Sequence, residues 1–569
     1  MLSPREAFRS RTLAYSEKWI SRAPGRGRPG SLLVGRCAPR SRAGHSALTN
    51  PLSLCLCASV VNTFALSAAS AQQTWPTLGG NAARTSVATQ PVPDLTQQTW
   101  TCTLDEQSRP IMFQAKAGVA VSPTHVLAAG FINDGGTVWK LFWVNRRSGV
   151  VERSAAIDAP VLESLTSPTI DSASNTVLVA SGSTLAAFDL VTGATRFETS
   201  FINPLVNVSP LVVRAFHAPA RIFVTDYDGF GDSASLHCIN LDAFSTRNPF
   251  TLGQVIWSAP IGASSGNTPA YDAARGRVIT AAVGLFATDP GEVLAFPAHA
   301  TETPAPAWRF VNPSGAGFFG GVSVDGSTVL AASYAFFGGL NSGNLVRLRA
   351  DNGTLLSNTA ANRTASIPVA LPSDALGRVV LSTGVQGFGS LPSLQVFGFS
   401  PSFSPTFAWS THLRTWTDSN NNAIIENGEF TPIGGWNLQP ILSVSGLGTR
   451  LVTGGADNVL RVLSLAGVNG STSPVSVVQS ATGITGSPAI AGGNLYAIGS
   501  AGLRSFGPAP LLLDVTRDGV VDVEDIYAWE QGRGLRDVDG SGAVNAADRE
   551  QLINAIRGNE EAEQTEGRR

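Results

Sequence analysis

From residue 99 to residue 507 the chain alternates apolar and polar positions in short runs broken by Gly, Pro, Ser and Asn. The clearest unit, SPTIDSASNTVLVASGSTLAAFDLVTGATRFETS from Ser167 to Ser200, alternates at Val177 and Val179 and again at Leu185 and Ala187. This period of two predicts half-buried strands, and Thr192-Gly193 predicts a turn after them. Comparable openings, mostly a small residue followed by Pro, recur at Ser122-Pro123, Ser167-Pro168, Ser209-Pro210, Thr268-Pro269, Gly321-Val322, Ile367-Pro368, Gln439-Pro440 and Ser487-Pro488. Intervals of this length suit four short strands each, so the pattern predicts a mainly β ring, a β-propeller of seven or eight blades. Eight is preferred because eight openings are countable. The last copy stops one strand short, while TWTCTL at Thr99 to Leu104 precedes the first opening. Pairing that early strand beside Asn494 to Ser505 closes the ring and removes two exposed sheet edges.

After Leu513 the pattern changes to regularly spaced acids. DVTRDGVVDVED places Asp514, Thr516, Asp518, Val520 (through its carbonyl), Asp522 and Asp525 at positions 1, 3, 5, 7, 9 and 12 of a twelve-residue loop, with Gly519 at the sharp turn. DVDGSGAVNAAD repeats the spacing with Asp537, Asp539, Ser541, Ala543, Asn545 and Asp548. A hard cation of calcium's size needs six to eight oxygens converging from one tight turn, which this spacing supplies. Two calcium ions are therefore expected, each loop followed by a helix. A third candidate, DSNNNAIIENGE, sets Asp418, Asn420, Asn422, Ile424 (carbonyl), Glu426 and Glu429 at the same positions, but Ala423 replaces the turn glycine. A plain polar insertion is the alternative there.

Composition narrows the class. The 569 residues are 43% hydrophobic and only 14% charged, with 59 Gly and 34 Pro, which excludes a predominantly disordered chain and disfavours a helical bundle. Arg dominates the first 71 residues. An apolar stretch at 51–66, ending in Ala69-Ser70-Ala71, fits a secretory signal cleaved after Ala71 and is too short and too weakly apolar to span a membrane. The expected organisation is a leader over 1–71, a propeller over 72–509 with an insertion at 412–438, a calcium module over 510–558 and a disordered acidic tail over 559–569. Export to the periplasm, cell surface or medium follows. Of the five cysteines only Cys102 and Cys238 lie beyond the leader.

WPTLGGNAARTS at Trp75 to Ser86 resembles the opening segment of bacterial PQQ-like (quinoprotein-type) β-propeller proteins, and AFDLVTG at Ala187 to Gly193 resembles their repeat signature. That resemblance implies Trp residues after Thr-Gly turns, for which Trp257, Trp308 and Trp409 are the candidates, read as packing between blades. The paired loops, ending in Asp, resemble a dockerin type I module, whose partners are cohesin domains. The resemblance thus implies a cohesin-like protein or a cell-surface component as the docking partner.

Catalytic signals are sparse. Gly262-Ala263-Ser264-Ser265-Gly266 fits G-x-S-x-G but lacks a strand-to-helix setting. His125, His217, His237, His299 and His412 show no ligand spacing. No Cys-Cys pair occurs and no quinone site maps onto the chain, so PQQ is not expected; the acidic balance beyond the leader disfavours nucleic acid. The expectation is an extracellular, polysaccharide-associated, non-catalytic binding or scaffold protein whose propeller presents a surface to an unknown ligand. The alternative is a PQQ-dependent or carbohydrate-active enzyme using the propeller funnel.

Overall fold

The computed structural model describes residues 74–566, except 115–116, 162–165, 229–230, 232, 264–266, 284–289, 335–342, 385–390, 446–447, 471–472, 509–512, 514, 517–520, 534–535, 537 and 539–543. The leader, the Ser264 to Gly266 part of the G-x-S-x-G match, and Asp514, Asp518, Val520, Asp537, Asp539, Ser541 and Ala543 therefore lie outside the described residues.

Eight antiparallel sheets follow one another along the chain, each a four-stranded meander, and together they form an eight-bladed β-propeller. Blade 8 is completed from the other end of the sequence. Gln98–Cys102 pairs antiparallel with Gly502–Phe506, in the register Gln98↔Phe506 to Cys102↔Leu503, which is the closure the sequence predicts. Trp75, residues 87–88 and one short strand in each of blades 1 and 5 add minor pairings to this plan.

Strands expected to be half-buried are buried on both faces. All six residues of Thr176–Ser181 are inaccessible, because each blade is covered by its two neighbours. Val177 and Val179 join a cluster with Leu141 and Trp143 of blade 1, whereas Leu178 and Ala180 join one with Ile222 and Val224 of blade 3. Alternation here distributes side chains between two interfaces, each a separate core for blades 1 to 7, while blades 7, 8 and 1 share one larger cluster.

The tryptophans link neighbouring blades. Trp257 Nε1 donates to Ala300 O at 3.0 Å, Trp308 Nε1 to Ala350 O at 3.0 Å and Trp409 Nε1 to Ser473 O at 2.7 Å, each reaching the last hairpin of the next blade. Trp100 repeats this across the ring closure, donating to Arg146 O at 2.9 Å. The hairpin glycines answer to these rings: Gly353 (φ 70°) lies under Trp308 and Gly149 (φ 71°) under Trp100, where an added Cβ would meet the indole at 2.6 Å. Only glycine satisfies both the left-handed turn and the close approach.

Two helices end the described chain. Among the described residues the first α-helix, α1 (Thr411–Thr415), opens the insertion; α2 (Val523–Glu530) and α3 (Ala546–Glu566) follow the two acidic loops. Leu513, Val515, Val521, Trp529, Val538, Leu552, Ala555 and Ile556 form their shared core. Helix α3 runs through residues for which a disordered tail was expected, a correction explained by the good helix formers Glu, Ala and Gln there. Among the described residues no helix is long and apolar enough to cross a membrane.

Candidate functional site

A propeller places its functional chemistry on the axis or on the faces around it, and here the repeat openings determine the axis. Seven of the eight openings precede an innermost strand. At four of them the side chain accepts from the backbone of the blade before it: Gly118 N donates to Ser167 Oγ (2.9 Å), Ser209 N to Thr268 Oγ1 (3.2 Å), Ile367 N to Gln439 Oε1 (3.0 Å) and Gln439 N to Ser487 Oγ (3.1 Å). The hydroxyl or amide before Pro thus joins neighbouring blades around the channel. Ser122-Pro123 is the exception: it forms the hairpin after the innermost strand Ala120–Val121, with Ser122 Oγ accepting from His125 N at 2.8 Å. The equivalent opening of blade 1 is Gly118-Val119, bridged to Ser487 of blade 8.

Residues 75–88 run along this axis as a strap. Trp75 exchanges two backbone bonds with Val121 of blade 1, and Pro76 O accepts from Ile170 N of blade 2 at 2.7 Å. Ala82 O accepts from Tyr271 N of blade 4, Ala83 O from Val324 N of blade 5 and Ser86 O from Leu442 N of blade 7, at 2.8 to 2.9 Å. Val87–Ala88 then pairs in parallel with Leu442 and Ser443. Blade 3 is reached by a side chain. Arg84, fully buried, donates to Pro269 O (3.1 Å), Leu78 O (2.8 Å), Ser209 O (2.9 Å), Pro210 O (3.1 Å) and the Thr77 hydroxyl. Burial without a carboxylate among these acceptors lowers its pKa to about 9.

Among the described residues, part of the axis beside the strap is open. A cavity of about 40 Å³ lies between Leu78 of the strap and the openings, lined by Ser167, Thr268, Gln439 and Ser487, with Phe319 at its wall. Phe319 packs with Ala263, Val283, Ala365 and Trp436, the last brought in by the 412–438 insertion and held by Trp436 N donating to Gly384 O at 2.7 Å. Such a space accommodates a few waters. A tricyclic quinone does not fit it, and the named walls are neutral.

The acidic loops show a shared wiring. Asp525 Oδ1 accepts from Thr516 N (2.8 Å) and Oδ2 from Asp522 N (2.9 Å); Asp548 Oδ1 accepts from Val538 N (2.7 Å) and Oδ2 from Asn545 N (2.8 Å). Both carboxylates are fully buried. In each loop, the twelfth position ties the loop's start to its ninth position and caps the helix that follows; Asp522 and Asp525 form a reciprocal capping box on α2. Burial pushes the Asp525 carboxyl up, against the backbone bonds that favour its charged form.

The 418–429 loop has the same arrangement within the propeller. Glu429 Oε1 accepts from Ser419 N at 3.0 Å and Oε2 from Glu426 N at 3.3 Å, positions 2 and 9 of that loop. Asp418 accepts from Asn422 N (3.1 Å) and Ala423 N (2.9 Å), Asn422 Oδ1 accepts from Ile424 N at 2.7 Å, and Asn420 Nδ2 donates to Glu426 at 2.8 Å. Ala423 adopts φ 58°, the left-handed conformation that glycine provides in the C-terminal loops' pattern. Among the described residues no three His, Cys, Asp or Glu side chains already converge as a metal cage.

Other singled-out residues are structural. His237 bonds Asp226 (3.1 Å) and Ser258 (2.7 Å), His125 bonds Glu152 (2.9 Å), and His412 bonds Ser393 (2.8 Å). Cys102 and Cys238 are both free and buried, in blades 8 and 3, with burial raising each thiol to about 12. The sequence marked Trp75 to Ser86 as an opening segment but not its course across the innermost strands, and neither the burial of Arg84 nor Phe319 was singled out.

No protein family matches the chain, and no curated protein matches it by sequence. Among solved structures it is similar to BamB from Moraxella catarrhalis (15% identity, 72% of this chain and 98% of that one, TM-score 0.42). It is also similar to a europium-containing methanol dehydrogenase (10%, 75% and 89%, TM-score 0.49). A quinohemoprotein alcohol dehydrogenase from Pseudomonas putida HK5 gives 9%, 75% of each chain and a TM-score of 0.45. At these scores the likenesses carry no argument about chemistry. The eight sheets themselves define the class, an eight-bladed β-propeller with a strapped axis.

Proposed function

We propose that the protein is an exported, non-catalytic binding or scaffold protein: a propeller that offers its faces to a partner, joined to a dockerin-like pair of calcium loops that docks it to a cohesin-like or cell-surface component. The observation that carries this reading is the matched wiring of Asp525 and Asp548, each buried at the centre of its loop. Each carboxylate retains lone pairs beyond the two it gives to backbone N–H groups, and calcium bound there would supply charge neutralisation. The ligand set is Asp514, Thr516, Asp518, Val520, Asp522 and Asp525 in the first loop. In the second it is Asp537, Asp539, Ser541, Ala543, Asn545 and Asp548. The loop from Asp418 to Glu429 is proposed as a third calcium site because its position-12 Glu429 bonds positions 2 and 9, as Asp548 does in the second loop.

The course of residues 75–88 across the innermost strands supports the non-catalytic part, since the cavity of about 40 Å³ beside it has no room for a quinone. The test is capture of partners from culture supernatant by the full chain, with calcium and with chelator. Chelator-sensitive capture of the same partner supports docking. Dye-linked alcohol or sugar oxidation on adding PQQ and calcium would overturn the non-catalytic reading.

A further inference from the structure

The strap does not treat all blades alike. Between Ala83, which accepts from Val324 of blade 5, and Ser86, which accepts from Leu442 of blade 7, it advances three residues and passes blade 6 without a backbone bond to that blade's innermost strand, Val369–Ala370. A cavity of about 290 Å³ opens where blade 6 is skipped. Its apolar walls come from Val87 of the strap, Val324 of blade 5, and Ala370 and Pro372 of blade 6. Asn81, Thr85 and Thr89 bring amide and hydroxyl groups from the strap, and Asp325 brings a single carboxylate from the end of blade 5's innermost strand.

Asp325 has no side-chain hydrogen bond or ion pair among the described residues; only its backbone carbonyl is engaged, accepting from Thr328 Oγ1 at 3.0 Å. Asp325 is exposed at the cleft's edge; desolvation by the surrounding wall holds its carboxyl above the usual range, and Arg347 opposes this through space without an ion pair. The Arg347 guanidinium stacks 4.8 Å from both the Phe399 and the Phe403 ring centroids. An anionic group facing a cleft of this volume, with apolar walls and a few neutral hydrogen-bonding groups, matches a compact organic cation. Small-ligand sites have this make-up, mostly apolar with a few placed polar groups, at volumes from about 300 Å³ upward.

We propose that the cleft left by the strap at blade 6 is a binding site for a small organic ammonium, its charge on Asp325 and its apolar body against Val87, Val324 and Ala370. This goes beyond the calcium-dependent docking reading and stands independently of it. Fluorine NMR of the full chain with 4-fluorobenzylammonium and with the neutral, near-isosteric 4-fluorobenzyl alcohol tests it. The ammonium should bind with a Kd on the order of 1 mM, about tenfold tighter than the alcohol. Asp325→Asn should remove that preference, and Val87→Trp should abolish binding of both by filling the cleft, with melting curves unchanged for Asp325→Asn. Equal binding of the two probes to the wild type, or ammonium binding insensitive to Asp325→Asn, would overturn the proposal. So would the absence of binding at probe concentrations well above the expected Kd.

Discussion

The axis of the propeller and the C-terminal helical pair both gather buried polar groups, and they do so with opposite chemistry. On the axis a cation, Arg84, is satisfied by carbonyls and a hydroxyl from the strap and from blades 3 and 4. Thr77, Thr169 and Ser209 hydroxyls interlock beside it at 2.8 to 3.2 Å. Around it lie several hundred residues of packed sheet, so the cost of burying the charge is carried by a large apolar core. In the helical pair two anions, Asp525 and Asp548, are buried in a module whose core is eight side chains. The difference is that Arg84 is satisfied by protein atoms, whereas under the proposed reading the loops would draw their stability from bound calcium.

The comparison breaks most visibly if calcium is removed. With chelator the helical pair should unfold, since a core of this size barely offsets chain entropy and its carboxylates repel one another. Asp525→Ala should have nearly the same effect on the first loop, read as a loss of calcium affinity by titration calorimetry, and Thr516→Ala a smaller one. Next in size is the axis itself. Arg84→Met leaves four carbonyls without a donor and should cost roughly 3–5 kcal/mol, measured by denaturant unfolding. A Trp308→Phe change removes one indole bond between blades 4 and 5 and should cost about 1 kcal/mol, with the ring remaining closed.

Acid sharpens the same contrast. His412 is held down to about 4 by burial beside Ser393, so between pH 6.5 and 4 the unfolded chain binds the extra proton and the propeller loses stability as pH falls through that window. Glu152 is lowered to about 2 by its His125 hydrogen bond, and its contribution is lost only below about pH 4.5. Melting temperatures of His412→Gln should therefore vary less than those of the wild type between pH 6.5 and 4. The smallest effect is at the insertion: Ala423→Gly relieves a left-handed alanine and should stabilise that loop by about 1 kcal/mol, with tighter calcium binding there.

Much of this was legible because the repeat leaves chemical traces. A Ser, Thr or Gln before Pro marks a blade opening at Ser167, Thr268, Gln439 and Ser487, where the side chain receives the previous blade's N–H. A glycine in a blade's last hairpin, as at Gly149 and Gly353, marks a turn lying under a neighbour's indole. Closure by Thr99 to Leu104 followed from a blade one strand short. Ser122-Pro123 misled because Ser-Pro suits a hairpin turn as well as an opening. The strap's path was not legible: its bonds are backbone to backbone and carry no side-chain signature, and an arginine buried among carbonyls contradicts the usual preference of that residue for the surface. Asp325 was hidden for a related reason, since its surroundings come from blades 5 and 6 and a segment more than two hundred residues away.

Differential scanning calorimetry of the chain from Gln72 onward, in excess calcium and again in excess chelator, separates the two regions in one sample. The large propeller transition should hold its position to within a few degrees, the residual shift arising from the 418–429 loop. The small transition of the helical pair should be present with calcium and absent with chelator, and should return when calcium is restored. An unchanged small transition in chelator, with Asp525→Ala melting as the wild type does, would contradict the view that Asp525 and Asp548 are buried to hold a cation.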